Sequence, residues 1–169
     1  MNISPGYLAL NEKYHRDAPN WGTSAGRFRA VGAMKLAVLL EAQTILDYGC
    51  GKGTMQKASG LVMDEYDPAI PGKTEIPRDH YDLVICTDVM EHVEPEYVDS
   101  VLNEINDLAT LGVYFIVYLT PAMHTLPDGS NCHRTIKPAT WWAEKIKGIF
   151  KCTVSYTSNG TEAEIIVAR

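Results

Sequence analysis

The stretch Thr44-Ile45-Leu46-Asp47-Tyr48-Gly49-Cys50-Gly51-Lys52-Gly53-Thr54 decides how this chain is read. A short apolar strand ends in an acid, and glycines alternate at 49, 51 and 53 in the loop that follows. Glycine lets a backbone turn sharply and approach a ligand closely, because no Cβ intervenes. A helix opening there adds the positive end of its dipole, which attracts an anion. Dinucleotide sites use G-x-G-x-x-G after a strand, with an acid about 20 residues on for the ribose. Here the third glycine is displaced, and Asp47 stands where it would repel a pyrophosphate. Taken alone, the segment also reads as a plain structural turn.

A ligand with one anionic and one cationic end meets both objections. S-adenosylmethionine is such a ligand: its carboxylate suits the N–H groups of Gly49, Cys50 and Gly51, and its ammonium and sulfonium suit Asp47. Two further segments support this. Asp67 lies 20 residues after Asp47, at the end of Leu61-Val62-Met63-Asp64-Glu65-Tyr66, and Pro68 follows it. A carboxylate there can accept both hydroxyls of a ribose. The third segment, Tyr81-Asp82-Leu83-Val84-Ile85-Cys86-Thr87-Asp88-Val89-Met90-Glu91-His92-Val93, is a buried strand that runs into a polar tip and a helix start.

Together these residues resemble the class I S-adenosylmethionine-dependent methyltransferase family. Residues 45–53 are similar to its first motif, Tyr66-Asp67-Pro68 to its acidic ribose position, and residues 86–93 to its fourth-strand motif. The resemblance spans about residues 27–169 and is nearest to short methyltransferase-domain proteins of bacteria and their phages. It implies an α/β, Rossmann-like, mostly parallel seven-stranded sheet of order 3-2-1-4-5-7-6 with a C-terminal antiparallel hairpin. It places Asp47, Gly49, Cys50, Gly51, Asp67, Pro68, Thr87, Asp88, Val89 and His92 at the cofactor.

The rest of the chain fits that plan. Residues 4–16 and 27–42 read as helices, the second with Phe28, Val31, Met34, Leu36, Val38 and Leu39 on an apolar side. A short helix over 54–59 and a helix opened by Pro95 follow, the latter with Val98, Val101, Leu102, Ile105 and Leu108 at helical spacing. Residues 112–119 form a continuous apolar strand of the buried parallel kind. Residues 138–149 read as a helix, and two alternating strands flank Ser158-Asn159-Gly160-Thr161, an Asn-Gly turn. The sheet is trimmed around its second and third strands. Pro71, Gly72 and Pro77 crowd residues 68–80, leaving Thr74-Glu75-Ile76 as at most a vestigial third strand. The acid that reads adenine in the family has no clear match.

The 169 residues make one domain, with 1–26 as a lid or cap in which Trp21, Gly22, Thr23 and Ser24 fold over the cofactor or form a plain surface loop. The hydrophobic share of 46% excludes a disordered chain, and no apolar run approaches the roughly 20 residues of a membrane span. Residues 1–6 lack a signal-peptide pattern, so a cytoplasmic protein is expected. A net charge of −6 argues against broad nucleic-acid binding, although Arg134, Lys137, Lys145, Lys147 and Lys151 cluster late in the chain. The four cysteines form no C-x-x-C pair, so reduced thiols and no metal site are expected.

Methyl transfer from a sulfonium is an in-line displacement that needs an aligned acceptor and, for a hydroxyl, a base. His133, in the loop 126–134, is the first candidate base or else a loop-ordering histidine; His124 is the second. Lys52 either pairs with the cofactor carboxylate or points to solvent. Residues 87–90 lack the N/D-P-P-Y of DNA amino-methyltransferases and the Pro-Cys of cytosine-C5 enzymes. Asp88 alone does not make the carboxylate cluster of metal-assisted catechol methylation. The expected activity is O-methylation of a small molecule or saccharide by a monomer or homodimer. An RNA, nucleotide or protein acceptor, a non-catalytic cofactor-binding subunit and a phage-type cofactor-degrading enzyme remain alternatives.

Overall fold

A computed structural model describes residues 2–23, 26–126 and 128–169, with no account of the side chains of residues 26–28. The elements run α1 (Pro5–Asp17), α2 (Gly26–Leu39), β1 (Ile45–Tyr48), α3 (Thr54–Ser59), β2 (Asp64–Tyr66), β3 (Tyr81–Thr87), α4 (Val98–Leu108), β4 (Ala109–Tyr118), α5 (Ala139–Phe150), β5 (Thr153–Ser158) and β6 (Glu162–Ala168). Single 3-10 turns at Met90–His92 and Pro95–Tyr97 connect β3 to α4.

Among the described residues the sheet has six strands in the order β2-β1-β3-β4-β6-β5. The first four are parallel, and β6 pairs antiparallel with both β4 and β5. The seventh strand expected from the family order is missing: Thr74-Glu75-Ile76 is not a strand. Proline removes a ladder donor, and the chain around Gly72 instead closes a turn in which Asp67 N–H donates to the Lys73 carbonyl at 2.8 Å. Three-residue β2 is therefore an edge, short enough to offer little template for another strand.

Alternation along the strands divides the core into two layers. Leu46, Val84, Cys86, Val113, Phe115 and Ile165 face α4 and α5, with Val101, Leu102, Ile105, Trp142 and Ile146 opposite them. Ile45, Leu83, Ile85, Tyr114 and Ile116 face α2 and α3.

The second layer corrects the helix reading. The buried side of α2 is Ala30, Ala33, Leu36 and Ala37, whereas Val31, Val38 and Leu39 are exposed. The reason is close approach: a Cβ at Gly32 would lie 2.0 Å from the Tyr114 hydroxyl oxygen. Small residues let the helix lie flat on the sheet, so size rather than hydrophobicity sets which face goes inward. Phe28 lies outside the described side chains.

α1 starts at an N-cap, Ser4, whose Oγ accepts from the Tyr7 N–H at 3.3 Å, with Pro5 at the first helical position. Ser4 also donates to Glu94 from Oγ at 2.6 Å and from its N–H at 2.9 Å. The Tyr7 and Tyr14 hydroxyls donate to the carbonyls of Cys132 and Thr125 at 3.3 and 2.6 Å. The N-terminal helix is thus fastened to both loops that rise from the carboxyl ends of the central strands.

Candidate functional site

Those carboxyl ends enclose a cleft of about 580 Å³, the position at which open α/β sheets take ligands. Its lining joins the glycine loop (Gly49, Gly51), the end of β2 (Asp67, Pro68), the end of β3 (Asp88, Val89, His92), the loop beyond β4 (His124, His133) and the N-terminal segment (Trp21, Gly22). Seven of the ten residues expected at the cofactor therefore lie on it. Asp47, Cys50 and Thr87 are buried just beneath.

The glycine loop works differently from the expectation. Gly49, Gly51 and Gly53 all have positive φ, and a Cβ at Gly49 would meet Val89 Cγ2 at 2.4 Å. Its N–H groups, however, are already engaged. Gly49 and Cys50 donate to the Tyr66 carbonyl at 2.7 and 3.0 Å, and Gly51 donates to Asp67 Oδ2 at 3.1 Å. α3 has only six residues, too short for a useful dipole. The loop's part is close approach and acidity rather than an amide cradle. Lys52 takes neither expected role: its Nζ donates to the carbonyls of Ala18 and Pro19, both at 2.8 Å, and its N–H donates to the Gly22 carbonyl at 2.9 Å. It ties the N-terminal segment onto the glycine loop.

The acids suit a cation. Asp47 is 2% exposed and its Oδ2 has no hydrogen-bond partner. Burial, with Glu65 adding repulsion, pushes its carboxyl up to about 7. An orphaned carboxylate beside a cleft gains from any cation placed there. Asp67 accepts from Ala69 N–H at 2.9 Å through Oδ1 and has His15 Nε2 at 3.9 Å from Oδ2. These residues fit S-adenosylmethionine: Asp47 would balance its positive end from beneath the cleft, and Asp67 would offer its remaining acceptor positions to ribose hydroxyls.

Arg29, outside the cleft, braces the lining residue Asp88, a support the sequence reading missed. Its guanidinium donates to Asp88 Oδ1 and to Glu162 Oε2, each at 2.8 Å, and lies 5.3 Å from the Tyr118 ring centroid. Asp88 holds φ +59, a left-handed conformation uncommon for a residue with a Cβ and typical of functional turns. An isolated arginine in a helix carries no local signal for a partner 59 residues away.

His92 and His133, both lining the cleft, meet edge to face with ring centroids 4.9 Å apart. His92 Nδ1 lies 3.0 Å from the Cys132 carbonyl oxygen, and His133 Nδ1 lies 2.6 Å from that of Thr120. A carbonyl only accepts, so Nδ1 is the donor in each ring, and Nε2 is the nitrogen left for a ligand. Burial, then the neighbouring His133, pushes His92 down to about 4. The backbone fixes this wall: Arg134 and Thr135 N–H donate to the Glu91 carbonyl at 2.7 and 3.0 Å. His124 sits exposed at the rim.

A family model described as a methyltransferase domain matches residues 25–155, most of the chain. The chain belongs to this methyltransferase family. Its resemblance to the class I S-adenosylmethionine-dependent enzymes is thereby confirmed. A comparison with curated proteins finds no match.

Among solved structures, magnesium protoporphyrin IX methyltransferase (ChlM) from Synechocystis PCC 6803 with bound SAM is similar, at TM-score 0.64 and 15% identity over 100% of both chains. So is Burkholderia thailandensis 1,6-didemethyltoxoflavin-N1-methyltransferase with S-adenosylhomocysteine, at TM-score 0.63 and 14% identity over 99% of this chain and 90% of that one. DhpI in complex with SAH gives TM-score 0.68 and 14% identity, with 97% of each chain covered. The chain spans only 59% of an O-methyltransferase family protein from Burkholderia thailandensis. At such identities the likeness is one of fold. No helix among the described residues is long and apolar enough to cross a membrane.

Proposed function

We propose that this methyltransferase moves a methyl group from S-adenosylmethionine to a hydroxyl of a small molecule or saccharide. One observation carries the reading: a single cleft is lined by Asp67, with Asp47 buried beneath, and by His133, whose Nδ1 is held by the Thr120 carbonyl. The bound cofactor supplies an electrophilic methyl carbon on a sulfonium. Solved neighbours that carry SAM or SAH support that choice of cofactor.

Each residue has a distinct part in this reading. Asp67 accepts the ribose hydroxyls, and Asp47 balances the positive end. Gly49 and Val89 bring backbone close to the ligand, while Trp21 and Gly22 act as a lid. His133 Nε2 accepts the hydroxyl proton as the oxygen attacks in line. Ser24, also expected in the lid, lies outside the described residues.

An oxygen acceptor is favoured because the cleft presents imidazole rings and, among its described lining residues, no cysteine. The aromatic rings of Tyr7, Tyr14, Tyr48, Tyr66 and Tyr118 line it, which suits a small apolar or sugar ring. A cytoplasmic monomer or homodimer completes the proposal. Methyl-labelled cofactor incubated with fractionated cell extract tests it. Label in a small-molecule or saccharide fraction is expected; label confined to nucleic acid or protein overturns it.

A further inference from the structure

The two histidines of the acceptor wall share it with a third group. Glu91 is fully buried, and neither carboxylate oxygen makes a hydrogen bond. The backbone amides of Glu91 and Tyr118 lie near enough to ease that isolation without meeting hydrogen-bond geometry. A buried carboxylate left without partners is costly, and native structures seldom keep one without a counter-ion or a ligand. One oxygen of Glu91 and one ring nitrogen from each of His92 and His133 all lie within 4.8 Å of one another.

We infer that Glu91, His92 and His133 hold a divalent transition-metal ion on the acceptor side of the cleft, a site that deepens the proposed methyl transfer and rests on it. The donor set argues for the ion. Two imidazoles and one carboxylate suit Mn²⁺, Fe²⁺, Co²⁺ or Zn²⁺ rather than Ca²⁺ or Mg²⁺, which prefer all-oxygen shells. The protonation pattern argues for it independently. Metal-bound histidines almost always donate their other N–H to a carbonyl or carboxylate, and both rings do so here, to Cys132 and Thr120. Ligands about 2.1 Å from a common ion stand roughly 3–4 Å apart, so the set needs only a small contraction.

Three protein ligands leave a position open to the cleft, as catalytic metal sites do. An acceptor hydroxyl in that position is acidified by the ion and loses its proton to water. Its oxygen lone pair then forms the bond to the methyl carbon, and the carbon–sulfur pair stays on sulfur as the thioether. In this arrangement the ion takes over the acidifying task otherwise left to His133. The acceptor class narrows to molecules with a hydroxyl able to ligate a metal.

Tag-free protein stripped with EDTA and titrated with Co²⁺ tests the inference. One equivalent is expected, with the visible ligand-field bands of a histidine-containing site. Glu91→Gln and His133→Ala should each weaken Co²⁺ binding at least tenfold, whereas His80→Ala, on the surface, should not. S-adenosylhomocysteine binding, measured on the same samples, verifies that each variant is folded. Absence of the bands in folded wild-type protein, or unchanged affinity in both folded variants, overturns the metal site. Metal binding without any methyl transfer would instead contradict the proposed function and leave the metal site standing.

Discussion

Gly51 donates its N–H to Asp67 Oδ2 at 3.1 Å, joining the loop after β1 to the acid after β2 across 16 residues. The acid that would hold a ribose is thus also what holds the loop. Its carboxylate has about four acceptor positions, and Gly51 and Ala69 fill two of them, leaving room for ribose hydroxyls. Asp67→Ala should weaken S-adenosylhomocysteine binding by roughly 1–3 kcal/mol, the range for a lost charged hydrogen bond. Calorimetric titration checks it, and an effect below that range would separate Asp67 from the ribose.

Asp47 makes cofactor affinity depend on pH. Its carboxyl is raised to about 7 by burial, so below that pH the empty site is protonated. A sulfonium favours the ionised form, so binding releases a proton and S-adenosylmethionine affinity should rise between about pH 6 and pH 8. The sign for stability is opposite. A raised folded-state pKa means the native chain binds the extra proton, so this group's contribution falls as pH rises through about 7. Titration in buffers of different ionisation enthalpy reads the released proton directly. A flat profile in Asp47→Asn is the matching control.

His133→Ala should lower turnover by roughly 10²–10⁴-fold, the usual worth of a positioned acid–base group. Affinity for the cofactor product should change little, because the ring lies on the acceptor wall. Steady-state rates and calorimetry on one preparation separate the two effects.

Arg29→Met removes the guanidinium that Asp88 and Glu162 share. Removing one partner of a buried ion pair costs roughly 3–5 kcal/mol. Both the arginine and Asp88 side chains are under a tenth exposed, so that range applies rather than the surface value. Urea denaturation followed by circular dichroism measures it.

Gly32→Ala should destabilise the chain by roughly 1–3 kcal/mol through overpacking, with cofactor affinity retained in the folded fraction. The added methyl meets the Tyr114 hydroxyl, which itself donates to Glu164 Oε2 at 2.7 Å and cannot turn away freely. A thermal melt reads the change.

Local patterns carried much of this molecule. The strand–acid–glycine run at 45–53, the 54–59 helix and the hairpin over 153–168 all rest on neighbours in sequence, and each forms where its residues predict. Long-range packing was harder to read. The inward face of α2 depends on Gly32 meeting Tyr114, and no periodicity in α2 reports that. The N–H groups of the glycine loop looked free for a ligand until Tyr66 and Asp67 folded against them. Glu91, His92 and His133 come together only when the loop after β4 hydrogen-bonds back to the turn after β3. Asp88 alone suggested no metal cluster, because the actual candidates are split between two loops.

The most direct measurement is calorimetric titration of the wild-type chain with S-adenosylhomocysteine. One site per chain is expected, with a dissociation constant near or below about 100 μM, equivalent to roughly 5–6 kcal/mol, and weakened about 5- to 150-fold in Asp67→Ala, the equivalent of roughly 1–3 kcal/mol. No binding at about 1 mM ligand, above the roughly 4 kcal/mol threshold, or equal binding by wild type and Asp67→Ala, would contradict the assignment of this cleft to the cofactor.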